Sequence, residues 1–438
     1  MPPPPPPSPR RSRRSPRPQR AAGPPVGGAR RRAAPTRGAD GRTHGAAPHE
    51  SLLVHGDNLA AMTAMLPERA GQFRAIYIDP PFNTGRAFAE YDDARSTHEW
   101  ASFMRPRLAL ARELLADDGA LFAEIDDTEL ATLTLLLDEV FGRESRVSTV
   151  TVVRSAPTGH KAINAGPVNV TDFLLVYAKD RAKLRLAPQL RARRPYDDAY
   201  KTWIDNPGDP PAAWRFRPIA RAVAEHLGHD GPAAARRALG GPEFAAFTRR
   251  FAVEHAPHVV RFAQPRYEAI SQKARALVDR SRAEPDRVFV LRRGALPDFV
   301  VRGGNRVLFL AKKVRVIGGV PTLVEPLTNV WDDVPFQGIA REGGVAFVRN
   351  KKPERLLARV LAMATEPGDW VLDPFAGSGT TAAVALKMGR RFVAIEEGAH
   401  AFTLAEPRLA RVVRGEDPTG ITTEVGFAGG GGFRVVDA

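Results

Sequence analysis

The sequence predicts an α/β fold organised around an open, mostly parallel sheet, and three observations carry that expectation. An apolar, β-branched run, Ala75-Ile76-Tyr77-Ile78, ends on Asp79 and is stopped by Pro80 and Pro81, which cannot extend a strand. A second run, Trp370-Val371-Leu372, ends on Asp373 and passes into Phe375-Ala376-Gly377-Ser378-Gly379, a glycine turn that opens a helix at Thr380. Around both runs, strand-like stretches alternate with segments of helical periodicity. In open α/β sheets ligands sit beyond the carboxyl ends of the strands, so both acids are expected to face one cleft.

In chain order, residues 1–48 are mainly Pro, Arg, Gly, Ala and Ser. They cannot bury a core and are expected to be a disordered extension, either an arm on polyanion charges or merely solvated. Folding is expected from about Ser51, with a strand through Val54, then Gly56-Asp57-Asn58 and a short helix to about Leu66. Residues 86–96 are polar. Met104, Leu108, Ala111 and Leu115 mark one helix face, with Pro106 expected to kink or restart it and Gly119 to end it. Residues 120–126 read as a strand, and Leu130, Leu133, Leu137 and Phe141 as a helix ended by Gly142. The acids Glu124, Asp126 and Asp127 read as strand-end and helix-cap residues. Residues 147–153 and 173–178 read as strands on an antiparallel edge. From 154 to 330 the pattern loosens, and arginines interleave with Trp203, Trp214, Phe216, Phe262 and Tyr267. Lys351-Lys352-Pro353 then opens a helix to about Ala364, and Phe392 to Glu396 is a last strand about twenty residues past the glycine loop.

The residues at Asp79 suit one chemistry. A carboxylate, the Pro80 carbonyl and the flat ring of Phe82 can together hold an exocyclic amine on a heterocycle: two acceptors for N–H and one stacking surface. The glycine loop suits an anion at a helix N-terminus. No Gly-Lys-Ser/Thr follows Gly379, so a P-loop is unsupported.

Asp79-Pro80-Pro81-Phe82 followed far downstream by Phe375-Ala376-Gly377-Ser378-Gly379 resembles the β class of S-adenosylmethionine-dependent DNA amino-methyltransferases, and among them the modification subunits of type III restriction systems. The resemblance runs from about Ser51 to the C-terminus and is weakest between about 185 and 302. It implies a Rossmann-like methyltransferase fold in circularly permuted order: a catalytic half at 49–153, an inserted target recognition region at 154–330, and a cofactor half with C-terminal tail at 331–438. It implies Asp79, Pro80, Pro81 and Phe82 as catalytic residues. For S-adenosylmethionine it implies Asp373, Phe375, Gly377, Gly379, Thr380 and Glu396, with Lys352 and Pro353 packed beside the pocket. Asp57 or Asn58 would lie beside the adenine of the cofactor, although an Asp there also caps the following helix. Arg266, Gln272, Lys273, Arg292, Arg293, Lys312, Lys313 and Arg315 are candidates for DNA contact. Asp at position 79 favours adenine N6 as acceptor; cytosine N4 is the alternative, and a catalytically inactive DNA-binding protein is a reading of another class. No metal is needed, because a sulfonium is already a good leaving group.

Composition agrees with these classes and excludes others. The chain of 438 residues has no cysteine, which removes disulfides, thiolate metal sites and the cysteine addition used in carbon-5 cytosine methylation. The net charge is +15, but residues 1–48 hold eleven arginines and one acid and supply +10 of it, so the remainder has an ordinary excess for a protein that grips double-stranded DNA in one cleft. No apolar run is long enough for a membrane span, and the first fifty residues lack a signal-peptide core, so a cytoplasmic protein is expected. Neither helicase nor nuclease motifs occur, so cleavage would need a restriction subunit; a homodimer is also open.

Overall fold

The computed structural model describes residues 42–438 except 47, 49, 86–94, 157–165, 194, 295 and 347–350. Most of the N-terminal extension and of the polar stretch after the catalytic turn therefore lies outside the described residues.

Ten strands form the main sheet: β1 (Thr43–Gly45), β2 (Ser51–His55), β3 (Phe73–Ile78), β4 (Leu115–Ile125), β5 (Arg146–Val153), β6 (Thr171–Ala178), β7 (Val330–Trp331), β8 (Trp370–Asp373), β9 (Arg391–Glu396) and β10 (Gly432–Asp437). Their order across the sheet is β1, β10, β2, β9, β8, β3, β4, β6, β5, β7. The six from β10 to β4 run parallel to one another, and β1 pairs antiparallel to β10. β6 runs antiparallel to both β4 and β5, the antiparallel edge expected for this part of the chain. The permuted order is visible here, since β3, early in the chain, pairs directly with β8, which comes nearly three hundred residues later.

The central strands are buried on both faces, which is why they read as continuous apolar runs without alternation. Ala75 and Tyr77 point to one core; Ile76 and Ile78 point to the other. Helices cover each face: α1 (Asn58–Arg69), α2 (Thr97–Leu114) and α3 (Leu130–Phe141) one, α4 (Glu354–Ala364), α5 (Thr380–Lys387) and α6 (Glu406–Val413) the other. Each sequence half thus supplies one helical layer, and the sheet is shared.

Four expectations are corrected. Pro106 does not restart α2, which runs on from Thr97 to Leu114 because Trp100, Met104, Leu108 and Ala111 keep one stripe buried on the sheet. Gly119 does not end that helix; it lies within β4, where a Cβ would stand 2.8 Å from the Phe73 carbonyl oxygen, so close strand approach demands glycine. The extension is shorter than 1–48, because Thr43–Gly45 pairs with β10 and His44 reaches Glu406 at 2.9 Å. The inserted region starts after Ala178, since β6 belongs to the main sheet. Between β6 and β7 the chain builds a six-stranded antiparallel sheet and a three-stranded one, with helices over the apolar clusters around Trp203 and Phe299 and a further cluster around Ile204 made by strand and loop residues.

Candidate active site

The turns leaving β3 and β8 open onto one cleft. Leu372 sits opposite Ile76 in the parallel pair. The cleft beyond is lined by Tyr77, Asp79, Lys352, Asp373, Phe375, Gly377 and Thr380 among others.

The turn after Asp79 is held from both sides. Trp100 Nε1 donates to the Pro81 carbonyl at 2.8 Å. Asn83 adopts a left-handed backbone, φ 61°, a conformation Asn tolerates better than most residues. Its amide donates to Glu129 Oε1 at 2.8 Å, and its carbonyl oxygen accepts the Arg95 N–H at 2.9 Å. Asp79 is left with about a fifth of its side chain, 19%, open to the cleft.

Behind Asp79 is a buried charge cluster. Lys352 Nζ lies 3.0 Å from Asp79 Oδ1 and 3.1 Å from Glu124 Oε1. The Tyr77 hydroxyl donates to Glu124 Oε2. Asp172 on β6, paired with Arg154 at 2.8 Å, adds a further acid. Burial pushes the Asp79 carboxyl up to about 8; Lys352 pulls it down and Glu124 pushes it up. Burial works against the charge on Lys352, yet Asp79 and Glu124 hold it well above the usual lysine range. Phe82 is 8% exposed and packs in the core beside Trp100, and the Lys352 ammonium lies over its ring, 4.7 Å from the centroid. The stacking face expected of Phe82 thus carries a cation in this conformation.

The glycine loop is shaped by its flanking acids. Asp373 Oδ1 accepts the Phe375 N–H at 2.9 Å, and its carboxyl is raised to about 7 by burial, against hydrogen bonds from Thr381 and Phe375. Glu396 uses both oxygens on backbone, Oε2 on Gly377 N at 2.7 Å and Oε1 on Gly398 N at 2.8 Å. Gly377 and Gly379 both have positive φ, 52° and 74°. A Cβ at Gly377 would meet nothing within 4 Å, whereas at Gly379 it would press on the Ala405 Cβ at 3.2 Å. Gly377 therefore answers to backbone conformation beside open space, and Gly379 to close packing. Thr380 Oγ1 accepts from the buried Arg408 at 2.7 Å. Asp57 caps α1 through Ala60 N at 2.8 Å and pairs with Arg107 at 2.8 Å; its neighbour Asn58 donates to the Pro374 carbonyl at 2.7 Å, tying α1 to the loop.

A family model described as DNA methylase matches residues 73–407. The chain belongs to the N6/N4 DNA methylase family. Among curated relatives, the probable type III restriction-modification enzyme HindVI Mod subunit of Haemophilus influenzae is 30% identical over 88% of this chain and 53% of its own. The StyLTI Mod subunit of Salmonella typhimurium is 29% identical over 76% of this chain and 49% of its own. The chain thus spans about half the length of these relatives. The type II methyltransferase M.KpnI of Klebsiella pneumoniae is 34% identical over 32% of this chain and 35% of its own. Among solved structures, the M1.HpyAVI–SAM complex superposes with a TM-score of 0.37 at 13% identity, covering 82% of this chain and 98% of its own. The cytosine-N4-specific PvuII DNA methyltransferase gives 0.39 at 12% identity, covering 83% and 88%.

The turns carrying both expected motifs leave neighbouring parallel strands at their carboxyl ends, while Asp57 serves as the cap of α1 and its neighbour Asn58 bonds to the loop at Pro374. Sequence reasoning missed Glu124 and Tyr77, and placed Lys352 only beside the cofactor pocket. One signal was available: a strand closing on Phe122-Ala123-Glu124-Ile125 puts a carboxylate next to β3 as soon as the two strands are paired, with Ala123 opposite Ile78. Of the DNA-contact candidates, Arg266, Gln272, Lys273, Arg292, Lys312 and Arg315 are exposed, while Arg293 and Lys313 are half-buried.

Proposed function

We propose that this chain transfers a methyl group from S-adenosylmethionine to N6 of an adenine flipped out of double-stranded DNA, as the methylating component of a restriction–modification system. The observation that carries this reading is the shared cleft: an amine-accepting turn on β3 beside a glycine loop on β8, with no strand between. The loop fits the cofactor, having open space at Gly377 and a buried carboxylate, Asp373, that can hold an amino group. When bound, S-adenosylmethionine supplies an electrophilic methyl on a sulfonium.

Asp79 and the Pro80 carbonyl accept the two N–H groups of the amine, favour a pyramidal nitrogen and aim its lone pair at the methyl carbon. As the N–C bond forms and the S–C bond breaks, the electron pair goes to sulfur and positive charge develops on N6. The Asp79 carboxylate stabilises that charge and stands where the surplus proton leaves. A base within the duplex cannot reach this turn, so flipping is part of the reading. Because two of the relatives are named as Mod subunits, a partner that cleaves DNA belongs to the proposal. A homodimer is open to light scattering. No helix among the described residues is long and apolar enough to cross a membrane, and the cytoplasm is the proposed place of action.

The test is methylation of duplex DNA with labelled cofactor, digestion to nucleosides and mass spectrometry. N6-methyladenine is the expected product. N4-methylcytosine as sole product would overturn the substrate and keep the cleft; absence of any transfer would overturn the activity.

Two further outcomes follow. Gly377→Val forces a β-branched residue into a left-handed backbone, and Glu396→Ala frees two loop N–H groups. Each should weaken cofactor binding by about 1.5–3 kcal/mol, the worth of a charged hydrogen bond, with DNA binding retained. Calorimetry showing unchanged affinity in both folded variants would contradict the assignment. Deleting residues 1–41, which hold ten arginines, should leave sequence specificity and turnover intact and at most flatten the salt dependence of binding. Lost specificity in the truncated chain would show that the extension reads DNA.

A further inference from the structure

We infer that Lys352 and Glu124 are positioning residues for Asp79: the ammonium, anchored on Glu124, keeps one oxygen of Asp79 engaged and favours the ionised carboxylate, leaving its other oxygen to take the substrate amine. The inference rests on the proposed methyl transfer for its purpose and on geometry for its substance.

The geometry is specific. Asp79 follows β3 one residue beyond Ile78, and Ile78 stands opposite Ala123, so Asp79 and Glu124 occupy neighbouring places on parallel strands. Two carboxylates so placed repel each other, and a cation between them removes the conflict. Lys352 fills that place, 3.0 Å from Asp79 Oδ1 and 3.1 Å from Glu124 Oε1, on a side chain 7% exposed. It reaches there from the segment that leads into α4, so the cofactor half of the chain supplies the counter-ion for the carboxylate of the catalytic half. Glu124 is wholly buried and is fixed from its other oxygen by Tyr77. The other titratable groups around Asp79 are Asp172 on β6, itself balanced by Arg154 at 2.8 Å, Asp373 across the cleft, Tyr77, whose hydroxyl is turned to Glu124, and Lys351, whose ammonium is turned away to the Glu342 and Val345 carbonyls. Lys352 is therefore the only cation against Asp79 among the described contacts. A neutral, protonated Asp79 would donate one hydrogen and lose an acceptor, so the ionised form is the one the chemistry uses.

Directions follow for each partner. Burial and Glu124 push Asp79 towards the protonated form, and Lys352 opposes both, with the balance at about 8. Lys352→Met removes the opposing charge, and the Asp79 transition should move to higher pH by about 1–3 pH units, the effect of one close opposite charge. Glu124→Gln removes a like charge at nearly constant shape, and the transition should move to lower pH. A residue serving only the packing would not move the transition in opposite directions.

The experiment is an isotope-edited infrared titration of the full chain carrying carboxyl-labelled aspartate, with Asp79→Asn subtracted to isolate the Asp79 band. This measurement needs neither DNA nor cofactor, so it stands apart from whether the chain methylates. In parallel, single-turnover methylation is followed across pH. The expected result is that the band, and with it the rising limb of the rate profile, moves up in Lys352→Met and down in Glu124→Gln. At neutral pH Lys352→Met should be at least about tenfold slower, because on that limb the ionised fraction of Asp79 falls about tenfold for each pH unit by which its transition rises. Unmoved bands in both variants, or movement in the same direction, would overturn the inference. So would a faster Lys352→Met enzyme at neutral pH, the mark of an ammonium that merely blocks the place of the amine. If the wild type shows the Asp79 transition but transfers no methyl group, the proposed function fails and the electrostatic assignment stands.

Discussion

Asp79→Ala should fold, bind S-adenosylmethionine and bind target DNA, yet transfer methyl groups several orders of magnitude more slowly. A preorganised acceptor is commonly worth about 10²–10³ in rate, and misplacement of the nucleophile adds to that. The fold should survive because Lys352 keeps its second partner, Glu124, at 3.1 Å, and the turn is held by Trp100 and Asn83 independently of the carboxylate. Asp79→Asn is the stricter variant: it keeps the shape and an oxygen that can accept from Lys352 but not the charge. Phe82→Ala is a poorer probe. Its ring lies in the core with Trp100 and Met62, so truncation mixes lost base stacking, about 1–3 kcal/mol, with a cavity worth about 3–5 kcal/mol of stability. Rapid-quench methylation at saturating cofactor, with cofactor and DNA affinities measured alongside, decides the matter. A fully active Asp79→Ala enzyme would remove Asp79 from the chemistry.

The legible part of this molecule was what local pattern controls. β3 and β8 announced themselves because strands buried on both faces are apolar at nearly every position, half-buried Arg74 being the exception, and each run led to an acid followed by residues that cannot continue a strand. Their meeting at one edge followed from the rule that parallel strands present carboxyl ends together. What was not legible depended on partners distant in sequence. Pro106 carries a local helix-breaking signal, but the buried stripe of α2 outweighs it. Gly119 looks like a stop until the Phe73 carbonyl is placed against it. Glu124 looks like one of three acids at a strand end, and only the strand order sets it beside Asp79 while Asp126 accepts the Thr128 N–H in a local turn. The inserted region resisted because its short strands, such as Thr202–Ile204 and Phe216–Pro218, carry too few residues to show a period.

The largest effect on stability is expected from Glu354→Ala, at a site the sequence does not reveal because its members lie at 354, 387, 408 and 417. Glu354 is fully buried and divides its carboxylate between two buried cations, Oε1 to Arg408 at 2.9 Å and Oε2 to Lys387 at 2.7 Å. Lys387 is also held by Asp417 at 2.7 Å, and the Ile421 N–H donates to Glu354 at 3.2 Å, so one acid ties α4, α5, α6 and the segment after α6 together. Removing a single partner from such a cluster leaves charge uncompensated away from water, which costs about 3–5 kcal/mol. The contrast is Glu139→Ala, which breaks a pair with Arg105 whose side chains are 55% and 48% exposed; there water and salt replace the partner and little change in stability is expected. Denaturant midpoints of the two variants at constant slope measure the difference. The effect should also reach the cleft, because Arg408 donates to Thr380 Oγ1 at 2.7 Å and to the Ser378 carbonyl at 3.3 Å, and those residues shape the glycine loop. Cofactor affinity should therefore fall in Glu354→Ala under conditions where the variant remains folded, and stay unchanged in Glu139→Ala. Equal midpoints for the two variants would mean that the buried cations find other partners, and that the cluster does not hold the loop.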